Sequence, residues 1–437
     1  MMAADVLSLI SQGSVMSTYE TLWAGLGLDL KRHDELLELL GQFYTGLYLS
    51  QPNRPAGMGY FDFVISEVHG LRVQELQEHK ARGGKVVGTF CLYVPEELIL
   101  AAGGVCVGLC AGTDFPAADA EAILPRNICP LIKSAVGFKL ARLCPYVESC
   151  DLVVGETTCD GKKKTWEIFG QHVPMHVMEL PQMAAGRQDG LWLGQVRDFK
   201  GRMETLAGRT ITEDDIARGI RLVNAKRRAL ARLYALRQNA NVPISGKDAL
   251  LISQIAFYDD IERYTAKVNE LCDELVARVT RGEGVLLGAK RLLITGTPMA
   301  IPNWKLHHIL EENGGVVVCE ESCTGTRYFT NTVDESAKGM DAQLEAIAER
   351  YVHIPCACFS PNTERLDNVV RYAREWQADG VIDYTLAFCH CYNVEHELLR
   401  QRLQAEGIPL LHIETDYSMG DMGQLTTRAR AFMETLA

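Results

Sequence analysis

The chain has 437 residues, 47% of them apolar and 23% charged, with a net charge of −12 at neutral pH. That length exceeds one ordinary hydrophobic core, so two or three domains are expected. The acidic balance argues against nucleic acid, whose phosphates call for a basic surface.

No run of about 18 apolar residues is present, so no membrane span is expected. The start, Met1-Met-Ala-Ala-Asp-Val-Leu-Ser-Leu-Ile, lacks the basic segment of a secretory signal. A cytoplasmic protein with reduced thiols is the expectation. Residues 1–80 read mainly as helix, with apolar positions at helical spacing in Asp34–Tyr44. From Lys85 the pattern changes to strand–turn–helix units, giving a first α/β lobe over 81–194. Its strands fall at Val86–Phe90, Val105–Leu109 and Leu152–Val154. Its helices open at Pro95, with Glu96 and Glu97 in the first turn, at Cys129-Pro130 and at Asp160.

Residues 195–285 carry no strand signal and read as a helical insert. Thr212 caps a long helix with an acidic first turn. The Arg/Lys cluster between Arg221 and Arg232 reads as its solvated face, and Gly246–Val279 reads as further helix. A second α/β lobe spans 286–437. Strands are expected from Leu292, Val316, Val381 and Pro409, and helices from Trp304, over Thr363–Ala378 and over Val394–Glu406. The alternation predicts two similar parallel-sheet lobes, Rossmann/flavodoxin-like, with a helical amino-terminal region and insert. No G-x-G-x-x-G follows a strand and no Walker A sequence occurs, so the chain shows no nucleotide site of its own.

Six of the 14 cysteines form two triplets: Cys91, Cys129 and Cys159 at steps of 38 and 30, and Cys323, Cys356 and Cys389 at steps of 33 and 33. Each lies just past a strand-like run or just before a helix-like one, as in Lys85-Val-Val-Gly-Thr-Phe-Cys91. Thiolates on loops at the carboxyl edge of a parallel sheet converge on one crevice, and six soft ligands there suggest iron–sulfur chemistry. Structural zinc sites usually bring ligands in C-x2-C pairs. Here the close spacings are the C-x-C runs Cys356-Ala-Cys358 and Cys389-His-Cys391, so zinc fits less well. Cys106, Cys110, Cys144, Cys150, Cys272 and Cys319 read as small core residues.

The runs Cys91-Leu-Tyr-Val-Pro-Glu-Glu-Leu-Ile, Thr157-Thr-Cys-Asp-Gly-Lys-Lys-Lys and Glu320-Glu-Ser-Cys-Thr-Gly-Thr-Arg-Tyr-Phe resemble the 2-hydroxyacyl-CoA dehydratase and benzoyl-CoA reductase superfamily. The branch most resembled is that of the double-cubane cluster proteins. Thr297-Pro-Met-Ala-Ile-Pro-Asn-Trp-Lys-Leu, Ile354-Pro-Cys-Ala-Cys-Phe-Ser-Pro-Asn, Asp383-Tyr-Thr-Leu-Ala-Phe-Cys-His and Ile413-Glu-Thr-Asp-Tyr-Ser extend the likeness over residues 80–190 and 290–435.

The resemblance implies two cubanes joined by a bridging sulfide, an [8Fe–9S] double cubane held by the six cysteines. It also implies electrons supplied by a separate ATP-hydrolysing iron–sulfur activator and anaerobic reduction of small molecules. Both triplets in one chain suggest a homodimer, since no second subunit is needed for ligands. The alternative it carries is a 2-hydroxyacyl-CoA dehydratase subunit with one [4Fe–4S] cluster. Equal steps favour Cys356 as ligand, with Cys358 as the alternate, and Cys391 competes with Cys389. No catalytic residue is assigned. Glu96, Lys162 and Arg327 are candidates for hydrogen bonds to cluster sulfides or substrate, while a helix start or surface pairing accounts for each equally well.

Overall fold

A computed structural model describes residues 14–183 and 190–436, with side chains from Tyr19 onward. The Met1–Ile10 stretch behind the no-signal expectation lies outside the described residues.

Two four-stranded, all-parallel sheets organise the described chain. The first contains β1 (Val86–Thr89), β2 (Val105–Gly108), β3 (Leu152–Glu156) and β4 (Met175–Met178), in the order β2-β1-β3-β4. The second contains β5 (Lys290–Gly296), β6 (Gly315–Glu321), β7 (Gly380–Leu386) and β8 (Leu410–Thr415), in the equivalent order β6-β5-β7-β8. Strands β1, β3, β6 and β7 are buried along their whole length, as strands covered on both faces are, which is why each carries a short apolar run. In this topology the strand order reverses between β1 and β3 and again between β5 and β7. Those reversals open a crevice outside the carboxyl ends of the strands.

The expected elements appear with small boundary shifts. The helix Pro130–Leu140 begins with Pro at its first position. The helix expected from Pro95 spans Glu96–Ala101, with Pro95 as its N-cap. The long insert helix runs Glu213–Leu236 behind a capping box between Thr212 and Asp215. Strand β4 had no expectation. It is a short edge strand in which Met175, His176 and Val177 are partly exposed, so neither β-branched enrichment nor burial marked it. The helices Met340–Val352 and Thr326–Phe329 were likewise not foreseen.

One expectation is corrected. The Arg/Lys cluster of the long helix is not simply a solvated face, because Lys226 and Arg227 are buried. Lys226 donates to Glu96 at 2.7 Å, and Arg227 donates to Glu97 at 2.8 Å and to the Tyr351 hydroxyl at 2.9 Å. Further along, buried Arg237 donates to both Glu320 oxygens, at 2.7 and 2.9 Å. Arg221 and Arg228 of this run stay exposed, Arg228 being paired with Glu335. The sequence shows charge on a helix but not the acids that meet it. Here those acids come from the helix Glu96–Ala101 in one lobe and from β6 in the other. The insert helix packs close enough on the former that a Cβ at Gly219 would stand 2.3 Å from the Glu97 carbonyl oxygen. Among the described residues, no helix is long and apolar enough to cross a membrane.

Candidate metal centre

The carboxyl edges of both sheets face one cavity of about 450 Å³. Cys91, Cys129, Cys159, Cys323, Cys356 and Cys389 all line it, and so do Cys110, Cys358 and Cys391. The rest of the wall is largely apolar and includes Phe90, Leu92, Ile132, Phe257 and Leu386. All of these cysteines are free thiols.

Topology explains the convergence. Cys91 stands two residues beyond β1, and Cys159 three beyond β3. Cys323 stands two beyond β6, and Cys389 three beyond β7. Cys129 is the N-cap of the helix Pro130–Leu140 in the long crossover from β2 to β3, and Cys356 lies in the equivalent crossover from β6 to β7. The triplets are nevertheless not strict equivalents, contrary to their matched spacing. In sheet position β6 corresponds to β2, so the counterpart of Cys323 is Cys110, two residues beyond β2. The counterpart of Cys91, two residues beyond β5, is Pro298. Cys110, read from sequence as a core residue, therefore sits at the cavity wall, where its thiol donates to the Phe90 carbonyl at 3.2 Å.

The thiols interact directly. Cys129 and Cys389 act on each other across the two lobes, which lowers the Cys129 pKa and raises that of Cys389. Cys356 and Cys358 act on each other in the same way. The neighbouring Cys358 thiol, followed by the nearby Arg327 guanidinium, lowers the Cys356 pKa against the effect of burial. Burial pushes Cys323 up to about 11, with Arg327 opposing, and also raises Cys91 and Cys159. Thiols raised in this way ionise only when a strong positive charge is placed among them, and a thiophilic metal supplies that charge.

The three non-cysteine candidates take different positions. Lys162 lines the cavity, and its Nζ donates to Glu156 and, at 3.4 Å, to the Phe90 carbonyl. Burial opposes its charge, but Glu156 and the Cys91 thiol hold the ammonium pKa well above its usual value. Its backbone N–H donates to the Cys159 sulfur at 3.4 Å. Glu96 reaches the cavity wall, yet its carboxylate is occupied by Lys226 and by the Tyr328 hydroxyl at 2.8 Å. Arg327 stands behind the wall, with Nη1 3.8 Å from the Cys323 sulfur and its other donors on Glu321 and Tyr392. Tyr392 and Glu156 had no place in the sequence reading. The Tyr392 hydroxyl lies 3.6 Å from the Cys356 sulfur, and Glu156 Oε2 is buried without a hydrogen-bond partner. Glu156 ends β3, so its place at a carboxyl edge was the one available signal.

The donor set fits an iron–sulfur group: soft ligands from both lobes, a largely apolar wall, and N–H and cationic donors beside the sulfurs.

Comparison with known proteins agrees with this architecture. The family described as 2-hydroxyglutaryl-CoA dehydratase, D-component, matches residues 91–436. A protein of Escherichia coli K12, YjiM, provisionally assigned as a dehydratase subunit, is 42% identical over 372 residues, 84% of this chain and 94% of that protein. The (R)-phenyllactyl-CoA dehydratase beta subunit of Clostridium sporogenes is 26% identical over 81% of this chain and 92% of its own length. The beta subunit of (R)-2-hydroxyglutaryl-CoA dehydratase from Acidaminococcus fermentans is 26% identical over 83% and 95%. With two such lobes and a family match that runs from the first cavity cysteine to the last helix, the chain belongs to the 2-hydroxyglutaryl-CoA dehydratase D-component family.

Proposed function

We propose that this chain is the cluster-binding component of a low-potential iron–sulfur reductase. In this reading it receives electrons from a separate ATP-hydrolysing activator and reduces small molecules. Cys91, Cys129, Cys159, Cys323, Cys356 and Cys389 would hold the group, a double cubane of [8Fe–9S] type. The observation that carries the reading is the meeting of both cysteine triplets in one cavity within a single chain. A homodimer follows naturally, since no second subunit is needed to complete the ligand set.

When bound, such a cluster supplies one-electron chemistry at low potential. The chain's own residues supply the setting. The apolar wall excludes water, which strengthens each remaining electrostatic contact. Lys162 keeps a positive charge beside Cys91, and Arg327 keeps another beside Cys323 and Cys356. Both favour sulfur-centred negative charge. The Tyr392 hydroxyl and the Lys162 backbone N–H are placed to donate to sulfur.

A second reading is favoured by the relatives named as dehydratase subunits. In it the chain is a 2-hydroxyacyl-CoA dehydratase subunit with one [4Fe–4S] cluster. Two measurements on anaerobically purified protein separate the two. The double cubane predicts about eight irons per chain and ATP-coupled reduction of acetylene or hydrazine when the partner ATPase is present. About four irons, with dehydration of a 2-hydroxyacyl-CoA that needs no stoichiometric ATP, would establish the second reading. Zinc bound at the cysteines in place of iron would overturn both.

A further inference from the structure

Away from the cysteine cavity, one β–α–β unit of the second lobe brings together Asp383, His396 and His412. Asp383 on β7 and His412 on edge strand β8 are register partners, so their side chains leave the sheet on the same face. His396 comes from the helix His390–Ala405 that joins these two strands. His396 Nδ1 lies 2.6 Å and His412 Nδ1 3.1 Å from the same Asp383 oxygen, Oδ2. All three donor atoms lie within 4.8 Å of one another, and the imidazole centroids are 3.9 Å apart. The Asp383 side chain is 1% exposed, whereas those of His396 and His412 are 22% and 27% exposed.

We propose that Asp383, His396 and His412 form a second metal site, for a single divalent ion of the zinc class, with one coordination position open to solvent. Two imidazoles and one carboxylate suit a borderline cation, and three protein ligands with a free fourth position are a common zinc arrangement. Zinc bonds of about 2.0–2.2 Å at tetrahedral angles separate donors by about 3.3 Å. The present separations approach this, so small side-chain rotations admit the ion. Each Nδ1 now faces Oδ2 as a hydrogen-bond donor. On binding, Nδ1 becomes the ligand and the ring proton moves to Nε2, so a neutral imidazole changes tautomer without net proton loss. The carboxylate is buried, and its direct side-chain partners are imidazoles rather than a Lys or Arg. A dication supplies the full charge that such a carboxylate otherwise lacks. The same ion fastens edge strand β8 to its neighbouring strand and helix.

None of the three residues lines the cysteine cavity, so the site stands or falls independently of the iron–sulfur reading. The test is a titration of anaerobically purified protein, iron content intact, with Co2+ followed by Zn2+. The expected result is one cobalt per chain with weak visible d–d bands, no thiolate-to-cobalt charge transfer, and displacement by zinc. His396→Gln and His412→Gln keep a polar group at partly exposed positions. Each is expected to weaken binding by at least the 10–100-fold typical of losing even an outer-shell partner, with iron content unchanged. The proposal is overturned if wild-type protein shows no saturable cobalt binding. Thiolate charge-transfer bands, or affinity undiminished in both variants, would overturn it as well. In the first case the three residues are a hydrogen-bonded cluster only.

Discussion

Cys129 and Cys389, one from each lobe, line the same cavity and act on each other's ionisation, favouring the Cys129 thiolate and disfavouring that of Cys389. The helix start in one lobe and the loop after β7 in the other therefore meet at one cavity, although they are far apart in sequence. A group bound by these two residues would bridge the lobes, and its loss should loosen the junction between them.

The assignment of the middle ligand in the second lobe follows from the Cys356–Cys358 pair. The neighbouring Cys358 thiol, the Arg327 guanidinium and the Tyr392 hydroxyl all favour the Cys356 thiolate. Cys356→Ala should therefore lose cluster iron in anaerobically purified protein, while Cys358→Ala should retain most of it. Iron and sulfide analysis decides the matter, and the reverse pattern would hand the position to Cys358.

Cys91 and Cys110 pose a parallel choice in the first lobe. Cys110 is the positional counterpart of Cys323, but its thiol is engaged with the Phe90 carbonyl. Cys91→Ala is expected to lower iron content and Cys110→Ala to leave it. Buried Cys272 lies away from the cavity. Cys272→Ala should cost about 1–2 kcal/mol in chemical unfolding with full iron retained.

Arg237 and Glu320 form a fully buried pair, each side chain 0% exposed, with His307 Nε2 3.0 Å from the same carboxylate. Burial works against the Glu320 charge, yet Arg237 and His307 hold its pKa at about 2. Arg237→Met leaves that carboxylate uncompensated and should destabilise the protein by about 3–5 kcal/mol. A double variant that also carries Glu320→Gln should recover part of the loss. Denaturant melts of the single and double variants measure both, and a single variant as stable as wild type would refute the pair's role.

Acid sensitivity is expected from the imidazoles of the amino-terminal helices. His33 is buried and lies 3.0 Å from His69. Burial lowers the His33 pKa to about 4 and takes His69 well below the usual range. The unfolded chain then binds these protons more readily than the folded one. Stability is complete above about pH 6.5 and falls as pH drops toward 4. His33 alone should remove on the order of 2 kcal/mol between pH 7 and pH 5. Urea midpoints at the two pH values should differ more for wild type than for His33→Gln. Equal differences would show that His33 does not titrate on unfolding.

Much of the architecture was legible because the two periodicities are strong. Buried strands such as those holding Leu152-Val-Val and Val316-Val-Val carry continuous apolar runs, and Thr212 with Asp215 marks a helix start in the sequence itself. Strand β4 was not legible, since an edge strand with partly exposed side chains carries no such run. The cysteines were legible as chemistry because soft donors on loops after strands have few packing reasons to recur. Spacing alone mispaired them. It matched Cys91 with Cys323, whereas strand order, set by hydrogen bonding between distant segments, places Cys110 opposite Cys323.

The sequence by itself determined the local elements, the loop positions of the thiols and the family. Each of these is written in short-range patterns of side-chain type. Only the tertiary structure decided which groups meet. Lys226 and Arg227 read as a solvated face until acids from another segment were found against them. Asp383, His396 and His412 were unremarkable residues until strand register and helix packing brought three donor atoms to one point. Burial and pairing depend on contacts between residues distant in the chain, and no local pattern encodes those partners.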